Sequence, residues 1–374
     1  MNAENSFEIF LVATPGLEAA LFDEVTSLGF KYPSLVSGGV KVQGGWPDIW
    51  RANLEIRGVT RVLARIGSFH AVHLAQLDKL ARKFPWGQFL RKDTSVQIEA
   101  TCKKSRIYHA GAAAQRIETA IVEELGCSLS AEVDVRILAR FENNLCTLSL
   151  DTSGDSLHKR GHKEAVAKAP MRETLASLFL RQCGYSGKET VVDPMCGSGT
   201  FVIEAAEIAA GLNPGRTRHF SFEHLVGFDA DAWEQMRNSK KGSASIFHFF
   251  GSDRDAGAIA SARANAARAG VTECTTFQDH AVSNLAPPPG QPGLVIVNPP
   301  YGTRIGDKTP LIALYAALGK TLLTRFSGWR VGLVTTDSTL AKATALPFAK
   351  PSGPVNHGGL NVFLFKTSSL KQNR

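Results

Sequence analysis

VVDPMCGSGTFVIEAAEIAAG, residues 191–211, reads as a short apolar strand, a glycine turn and a helix in immediate succession. Asp193 closes the strand, and Pro194, Cys196, Gly197, Gly199 and Thr200 carry the turn into the helix. Glycine lets a backbone turn tightly and approach a ligand with no Cβ in the way. The first turn of the helix offers N–H groups that lack intrahelical partners. Going outward, SIFHFFGSD (245–253), CTTFQD (274–279), GLVIVNPPY (293–301), WRVGLVTT (329–336) and LNVFLFKT (360–367) read as strands. DAGAIASARANAARAG (255–270) and TPLIALYAALGKTLLTRF (309–326) read as helices, the second with Thr309 as cap and Pro310 in first position. Strands and helices that alternate in this way predict an α/β fold with a doubly wound, mostly parallel sheet, whose ligands bind at the carboxyl ends of the strands.

The N-terminal half has a different grain. FEIFLVA (7–13), SVQIEATCKK (95–104) and CTLSLDTSG (146–154) read as strands. PGLEAALFDEVTSLG (15–29) and HAGAAAQRIETAIVEELG (109–126) read as helices, VSGGVKVQGG (36–45) is turn-rich, and ANLEIRGVTRVLARIGSF (52–69) fits helix or strand equally. This is the grain of compact α+β modules. A polar, basic stretch, DTSGDSLHKRGHKEAVAKAP (151–170), separates the halves, with a helix over 171–184 after it; LAPPPGQPG (285–293) reads as a surface loop.

With 374 residues and 44% apolar content there is material for two or three cored domains. Disordered chains and small disulfide scaffolds are excluded. Apolar runs such as FLVA are far too short to span a bilayer, and the polar start MNAENS predicts no secretory leader. The six cysteines stand singly and the ten histidines are scattered through the chain, so neither a disulfide frame nor a metal site is expected. These features predict a cytoplasmic protein with no membrane partner. The net charge of +8, which is +2 over residues 1–170 and +6 over 171–374, leans toward a polyanionic partner.

The glycine turn lacks the marks of a phosphate loop: there is no lysine, and Val202 stands where a third glycine would be. A cofactor with a carboxylate and no pyrophosphate fits better, and S-adenosyl-L-methionine is one; plain strand–helix packing is the blander alternative. A ribose calls for an acidic residue at the end of the next strand. GFD (227–229) and GSD (251–253) compete for this place. The better strand–helix unit selects Asp253, with Asp255 as helix cap. Residues 212–245 then become a basic insertion, with Arg216, Arg218, His219, Arg237, Lys240 and Lys241 either meeting substrate phosphates or forming a solvated loop. Asp279 ends the following strand, where an adenine amine could be read.

GLVIVNPPYGTRIGD, residues 293–307, is the most telling stretch for chemistry. A buried strand runs into Asn298, Pro299, Pro300 and Tyr301. Two prolines stiffen the corner and remove two backbone donors. The Asn298 side-chain oxygen and the Pro299 carbonyl can accept both hydrogens of one amino group, and Tyr301 offers a face to a planar ring. That suits a base taken out of its stack. Holding both hydrogens turns the nitrogen lone pair out of conjugation, so alignment and the positive charge of the methyl donor suffice without a strong general base.

These residues resemble the class I S-adenosylmethionine-dependent methyltransferases of exocyclic amines. FLVATPGLEAAL, GGVKV, RANLEIRGVTRVLARIGSF, SLDTSGDSLHKRGHKEAVAKAPMRETLA, DPMCGSGTFVIEAAEIAAG and NPPYGTRIGD together look like the THUMP-domain RNA methyltransferases, in particular the bacterial enzymes that form N2-methylguanosine in 23S ribosomal RNA. The resemblance covers roughly residues 7–365. It implies a ferredoxin-like segment over 1–65, a THUMP RNA-binding domain over 66–155, a linker and first helix over 156–184, and a Rossmann-like class I methyltransferase domain over 185–374. It further implies cofactor contacts from Asp193, Pro194, Cys196, Gly197, Gly199, Thr200, Asp253, Asp279 and Asn298. Asn298, Pro299, Pro300 and Tyr301 would be catalytic, and Lys103, Lys104, Arg106, Lys159 and Arg160 would contact RNA. Long members carry a second methyltransferase domain, and a single one is expected here. His162 stands where an aromatic residue is frequent. A transfer-RNA guanine enzyme, a DNA adenine-N6 methyltransferase and a non-catalytic RNA-binding or assembly protein remain as alternatives, and the oligomeric state is open.

Overall fold

FEIFLV carries one polar residue, Glu8, and buries Ile9, Phe10 and Leu11 in a row; this strand, β1 (Phe7–Val12), lies inside the N-terminal sheet. The computed structural model describes residues 6–128, 133–164, 171–240, 242–301 and 309–371. Among them, 6–13, 22–157 and 217–239 form one compact unit, and 14–21, 158–216 and 240–371 form a second.

After β1 come α1 (Glu18–Ser27), β2 (Ser34–Val36), β3 (Gly39–Gly44), α2 (Trp46–Glu55), β4 (Arg61–His70), α3 (Leu74–Lys83), β5 (Val96–Lys103), α4 (Ala110–Leu125), β6 (Val135–Glu142) and β7 (Leu145–Asp151). The first unit's sheet has the order β2-β3-β1-β4-β7-β6-β5; β5 and β6 run parallel and every other neighbouring pair is antiparallel. The stretch VSGGVKVQGG, expected only as turn-rich, is a hairpin in which Val36 faces Gly39 across a two-residue turn. Gly38 adopts φ +82°, and a side chain on Gly39 would collide with the Leu11 carbonyl. The ambiguous 52–69 stretch divides into the end of α2 and all of β4 but its last residue. The Glu24 carboxylate sets this break by accepting from the backbone N–H groups of Arg57 (2.7 Å) and Gly58 (2.9 Å).

The second unit holds α5 (Glu173–Gln182), β8 (Val191–Asp193) and α6 (Thr200–Ala209). The chain then passes through α7 (Ala230–Asn238), which belongs to the first unit. It continues with β9 (Phe249–Asp253), α8 (Ala256–Ala269), β10 (Thr275–Asp279), β11 (Leu294–Val297), α9 (Thr309–Arg325), β12 (Arg330–Thr335), α10 (Ser338–Ala343), β13 (Val355–His357) and β14 (Leu360–Lys366). The sheet order is β10-β9-β8-β11-β12-β14-β13. The five strands β8 to β12 are parallel, and β14 lies antiparallel to β12. Strand order reverses between β8 and β11, which is where an open α/β sheet presents its ligand crevice. The α9 face of the sheet is a core of Val295, Val297, Leu318, Leu322, Phe326 and Leu333.

The reading of 212–245 as an insertion of the α/β domain is corrected here. Residues 217–239 are part of the first unit. Their aromatics explain why: Trp233 packs edge-on to Phe220 and Phe222, while Trp50 meets Phe222 and Phe228 with ring centroids 6.2 and 5.8 Å apart.

Candidate active site

The carboxyl edge of the second sheet gathers the glycine turn. Asp193, at the end of β8, is 2% exposed, and its Oδ1 accepts the Met195 N–H at 3.1 Å. Burial, reinforced by the nearby Asp253, pushes the Asp193 carboxyl up to about 8 against that hydrogen bond. Asp253 ends β9 and accepts the Gly197 N–H on one oxygen (3.0 Å) and the Asp255 N–H on the other (3.1 Å). Cys196 donates its N–H to the Ser252 carbonyl at 2.9 Å, and burial raises its thiol well above the usual range, which leaves it an inert packing group. The two glycines serve different ends. Gly199 (φ +86°) has Ala262 and Phe277 3.1 Å from where a Cβ would sit, whereas the Cβ position of Gly197 (φ +52°) meets nothing within 4 Å. Gly197 thus lies open to a neighbour while Gly199 is locked into packing.

The two acidic candidates fall in different units. Asp229 caps α7 in the first unit through Ala232 N–H. Asp253 stands in the second unit beside the glycine turn, and Asp255 caps α8 through Gly257 and Ala258 N–H. Asp279 is exposed and pairs in register with Asp253.

Asn298 follows β11 on the other side of β8. Its amide hydrogen-bonds the Tyr301 hydroxyl, while its buried Oδ1 has no hydrogen-bond partner among the described residues. Burial raises the Tyr301 phenol pKa, and that hydrogen bond opposes the shift. Tyr301 is half-buried and leans on the core under α9. The Pro300 carbonyl accepts from the hydroxyl of Tyr315, on α9, at 3.4 Å. Among the described residues no group donates to the Pro299 carbonyl. Residues 302–307 of the quoted stretch lie outside the described residues.

A family model described as the RMKL-like methyltransferase domain matches residues 160–358. The chain belongs to the RMKL-like methyltransferase family. Two further models match this family member upstream: an RlmL ferredoxin-like domain over 8–63 and a THUMP domain over 71–151. The "Ribosomal RNA large subunit methyltransferase K/L" of Chromohalobacter salexigens is 32% identical over 93% of this chain and 51% of its own length, and that of Syntrophotalea carbinolica 35% over 90% and 50%. The chain thus spans about half the length of these curated relatives. A relative from Synechocystis sp., slr0064, is 32% identical over 96% of this chain and 95% of its own length. Among solved structures, a possible methylase from Clostridium difficile 630 superposes with TM-score 0.88 at 29% identity, covering 99% of this chain and all of its own. SMU.472, complexed with SAH, superposes with TM-score 0.88 at 25% identity over the same shares.

In this RMKL-like chain the basic stretch after 157 is only partly a surface. Lys159 is exposed, but Arg160 is 2% exposed and its guanidinium faces Glu204 of α6 at 3.4 Å. The expectation that Arg160 reaches RNA is corrected: it is a buried ion-pair residue. Lys163 reaches Thr200 Oγ1 at 2.9 Å, the Met171 carbonyl at 2.7 Å and Glu173 at 3.3 Å, tying this segment to the residue that opens α6. Sequence reasoning missed Lys163, Glu173 and Glu204. The signal was there in Glu204 and Glu207, two acids on the otherwise apolar helix TFVIEAAEIA. His162 is buried 4.0 Å from Glu207, and burial keeps its pKa below the usual value. The arginines of 212–245 are likewise committed: Arg216 to Glu207 (2.5 Å) and the Ala269 carbonyl, Arg218 to the carbonyls of Asp155 and Ser156, and Arg237 over the Trp233 ring. Their proposed phosphate role is withdrawn, and Lys241 lies outside the described residues. In the first unit Lys103, Lys104 and Arg106 are exposed beside Tyr108, which is 84% exposed. Among the described residues no cluster of three metal-ligating side chains occurs, and no helix is long and apolar enough to cross a membrane.

Proposed function

We propose that this chain is a cytoplasmic, S-adenosyl-L-methionine-dependent RNA methyltransferase that acts on the N2 amine of a guanine turned out of its stack, in 23S ribosomal RNA. The observation that carries the reading is the corner after β11. Among the described residues, a buried Asn298 oxygen without a partner stands one residue from a Pro299 carbonyl that receives no donor. Burying an unsatisfied amide oxygen costs roughly 1–3 kcal/mol, so a fold that keeps one at a strand end keeps it for a ligand's N–H.

The residues at the carboxyl edge fit the cofactor. Each Asp253 oxygen already accepts one backbone N–H, and a carboxylate oxygen retains a second lone pair for a ribose hydroxyl. Asp193, Pro194, Cys196, Gly197, Gly199 and Thr200 shape the turn, Gly197 leaves room beside it, and Asp279 offers an acceptor to an adenine amine. When bound, S-adenosylmethionine supplies a methyl carbon made electrophilic by its sulfonium and leaves as the neutral thioether. Asn298 Oδ1 and the Pro299 carbonyl accept the two hydrogens of the target amine and turn its lone pair out of the ring plane. Tyr301 backs the base. Once the nitrogen carries the methyl, one of its protons passes from Asn298 Oδ1 to solvent. Lys103, Lys104, Arg106 and Lys159 would hold RNA backbone, which positions without reading sequence.

The names of the relatives that the chain matches over half their length, and the SAH complex of SMU.472, support this reading. It is tested by incubating the purified chain and labelled S-adenosylmethionine with unmodified 23S ribosomal RNA, transfer RNA and plasmid DNA, followed by nucleoside mass spectrometry. N2-methylguanosine in the ribosomal RNA is the expected product; N6-methyladenine in DNA, or label only in transfer RNA, would replace the substrate, and no label anywhere would remove the activity.

A further inference from the structure

We propose that Tyr315 is a positioning residue for the amine-binding corner and that Thr335 orients its hydroxyl; this rests on the reading of Asn298 and Pro299 as the amine acceptors. The corner has few ways of holding itself. Pro299 and Pro300 have no N–H, so neither can be tied down as a backbone donor. Among the described residues, Pro299 and Pro300 make a single hydrogen bond to the rest of the unit, the one from Tyr315 on α9 to the Pro300 carbonyl at 3.4 Å.

Tyr315 is completely buried, and so is Thr335 at the end of β12. The Tyr315 hydroxyl lies 3.1 Å from Thr335 Oγ1, which in turn accepts the Asp337 N–H at 3.4 Å. A hydroxyl has one proton to give. The Tyr315 hydroxyl is placed to donate either to Thr335 Oγ1 or to the Pro300 carbonyl; Thr335 has a proton of its own, and when it gives that proton to Tyr315 the Tyr315 proton is free for Pro300. Burial pushes the Tyr315 phenol up to about 12, so it stays a donor throughout the neutral range. The consequence is a choice between two adjacent carbonyls: the Pro300 oxygen accepts from the core side, and the Pro299 oxygen is left, beside Asn298 Oδ1, to accept from the amine. Rotation of the corner by one peptide would exchange the two, and Tyr315 opposes it.

The variants Tyr315→Phe, Thr335→Val and Thr335→Ser separate this from packing, since Phe and Val keep the shape and lose the hydroxyl while Ser keeps it. Two measurements on the full chain decide: methyl transfer to RNA, and amide hydrogen exchange. Tyr315→Phe is expected to lower kcat about 10- to 100-fold with KM for S-adenosylmethionine within about twofold, because small misplacements of a reacting group cost that much. It should also speed exchange at Asn298 and Tyr301 without changing it elsewhere along α9. Thr335→Val should move both readouts in the same direction and Thr335→Ser should restore most of the rate. Wild-type kcat and wild-type exchange in Tyr315→Phe would overturn the proposal, as would faster exchange along the whole of α9, which marks a packing role. If the unaltered protein methylates nothing, the functional reading fails, and exchange at the corner alone then decides whether Tyr315 braces it.

Discussion

Asn298 uses its amide toward Tyr301 and leaves its oxygen buried without a partner among the described residues. An unpaired polar atom inside a fold lowers stability, and a site that keeps one trades stability for recognition. Asn298→Ala is therefore expected to reduce methyl transfer by at least about 100-fold, with S-adenosylmethionine affinity by calorimetry preserved and the thermal midpoint unchanged or higher. A variant that loses cofactor affinity but turns over normally would contradict the assignment. Asp193 makes a second prediction, in pH. Its folded carboxyl is raised from 3.8 to about 8, so folding takes up a proton between these values and stability drains away as pH rises through that window. Asp193→Asn carries no such charge. The cofactor-free variant should melt at the wild-type temperature near pH 4 and progressively above it toward pH 8, by scanning fluorimetry at several pH values; a constant offset would show that the carboxyl is already ionised in the fold.

Glycines show at the level of elements what a sequence reader sees and misses. Gly38 and Gly39 looked like a turn because both lack a side chain, yet the pair makes a hairpin: one supplies the left-handed turn and the other the close approach to β1. Gly319 lies inside α9, where alanine would be the better helix former by about 1 kcal/mol. A Cβ there would run into the Thr344 carbonyl just beyond α10. Gly319→Ala should destabilise by about 1–3 kcal/mol, as a lower urea midpoint at an unchanged slope; a gain in stability would mean that α10 can yield. The span around Gly58 does not show its break in sequence, because the Glu24 carboxylate that fixes it is 33 residues away from Arg57. The strands of the second sheet were legible because buried parallel strands write themselves as continuous apolar runs.

At the scale of the whole molecule, the chain leaves its α/β unit at 217 and returns at 240. The basic residues of that excursion had suggested a solvated or phosphate-binding loop, but its aromatic residues carry its structure. Trp233 is buried and its ring centroid lies 5.0 Å from that of Phe222. Trp233→Ala should destabilise the first unit by about 3–5 kcal/mol, read as an earlier transition in calorimetric unfolding, whereas a solvated loop would tolerate it within about 0.5 kcal/mol.

Local chemistry was sufficient for the α/β class, the glycine turn after Asp193, the cap at Asp255 and the proline corner after β11. Each rests on neighbours in the chain: periodicity, missing side chains and missing donors. Which acid stands at the second strand end, that Arg160 is buried against Glu204, that the 217–239 segment joins the first unit and that Tyr315 reaches Pro300 were decided only by folding. These depend on partners from 15 to more than a hundred residues apart, and the distance between such partners is not written in the order of residues.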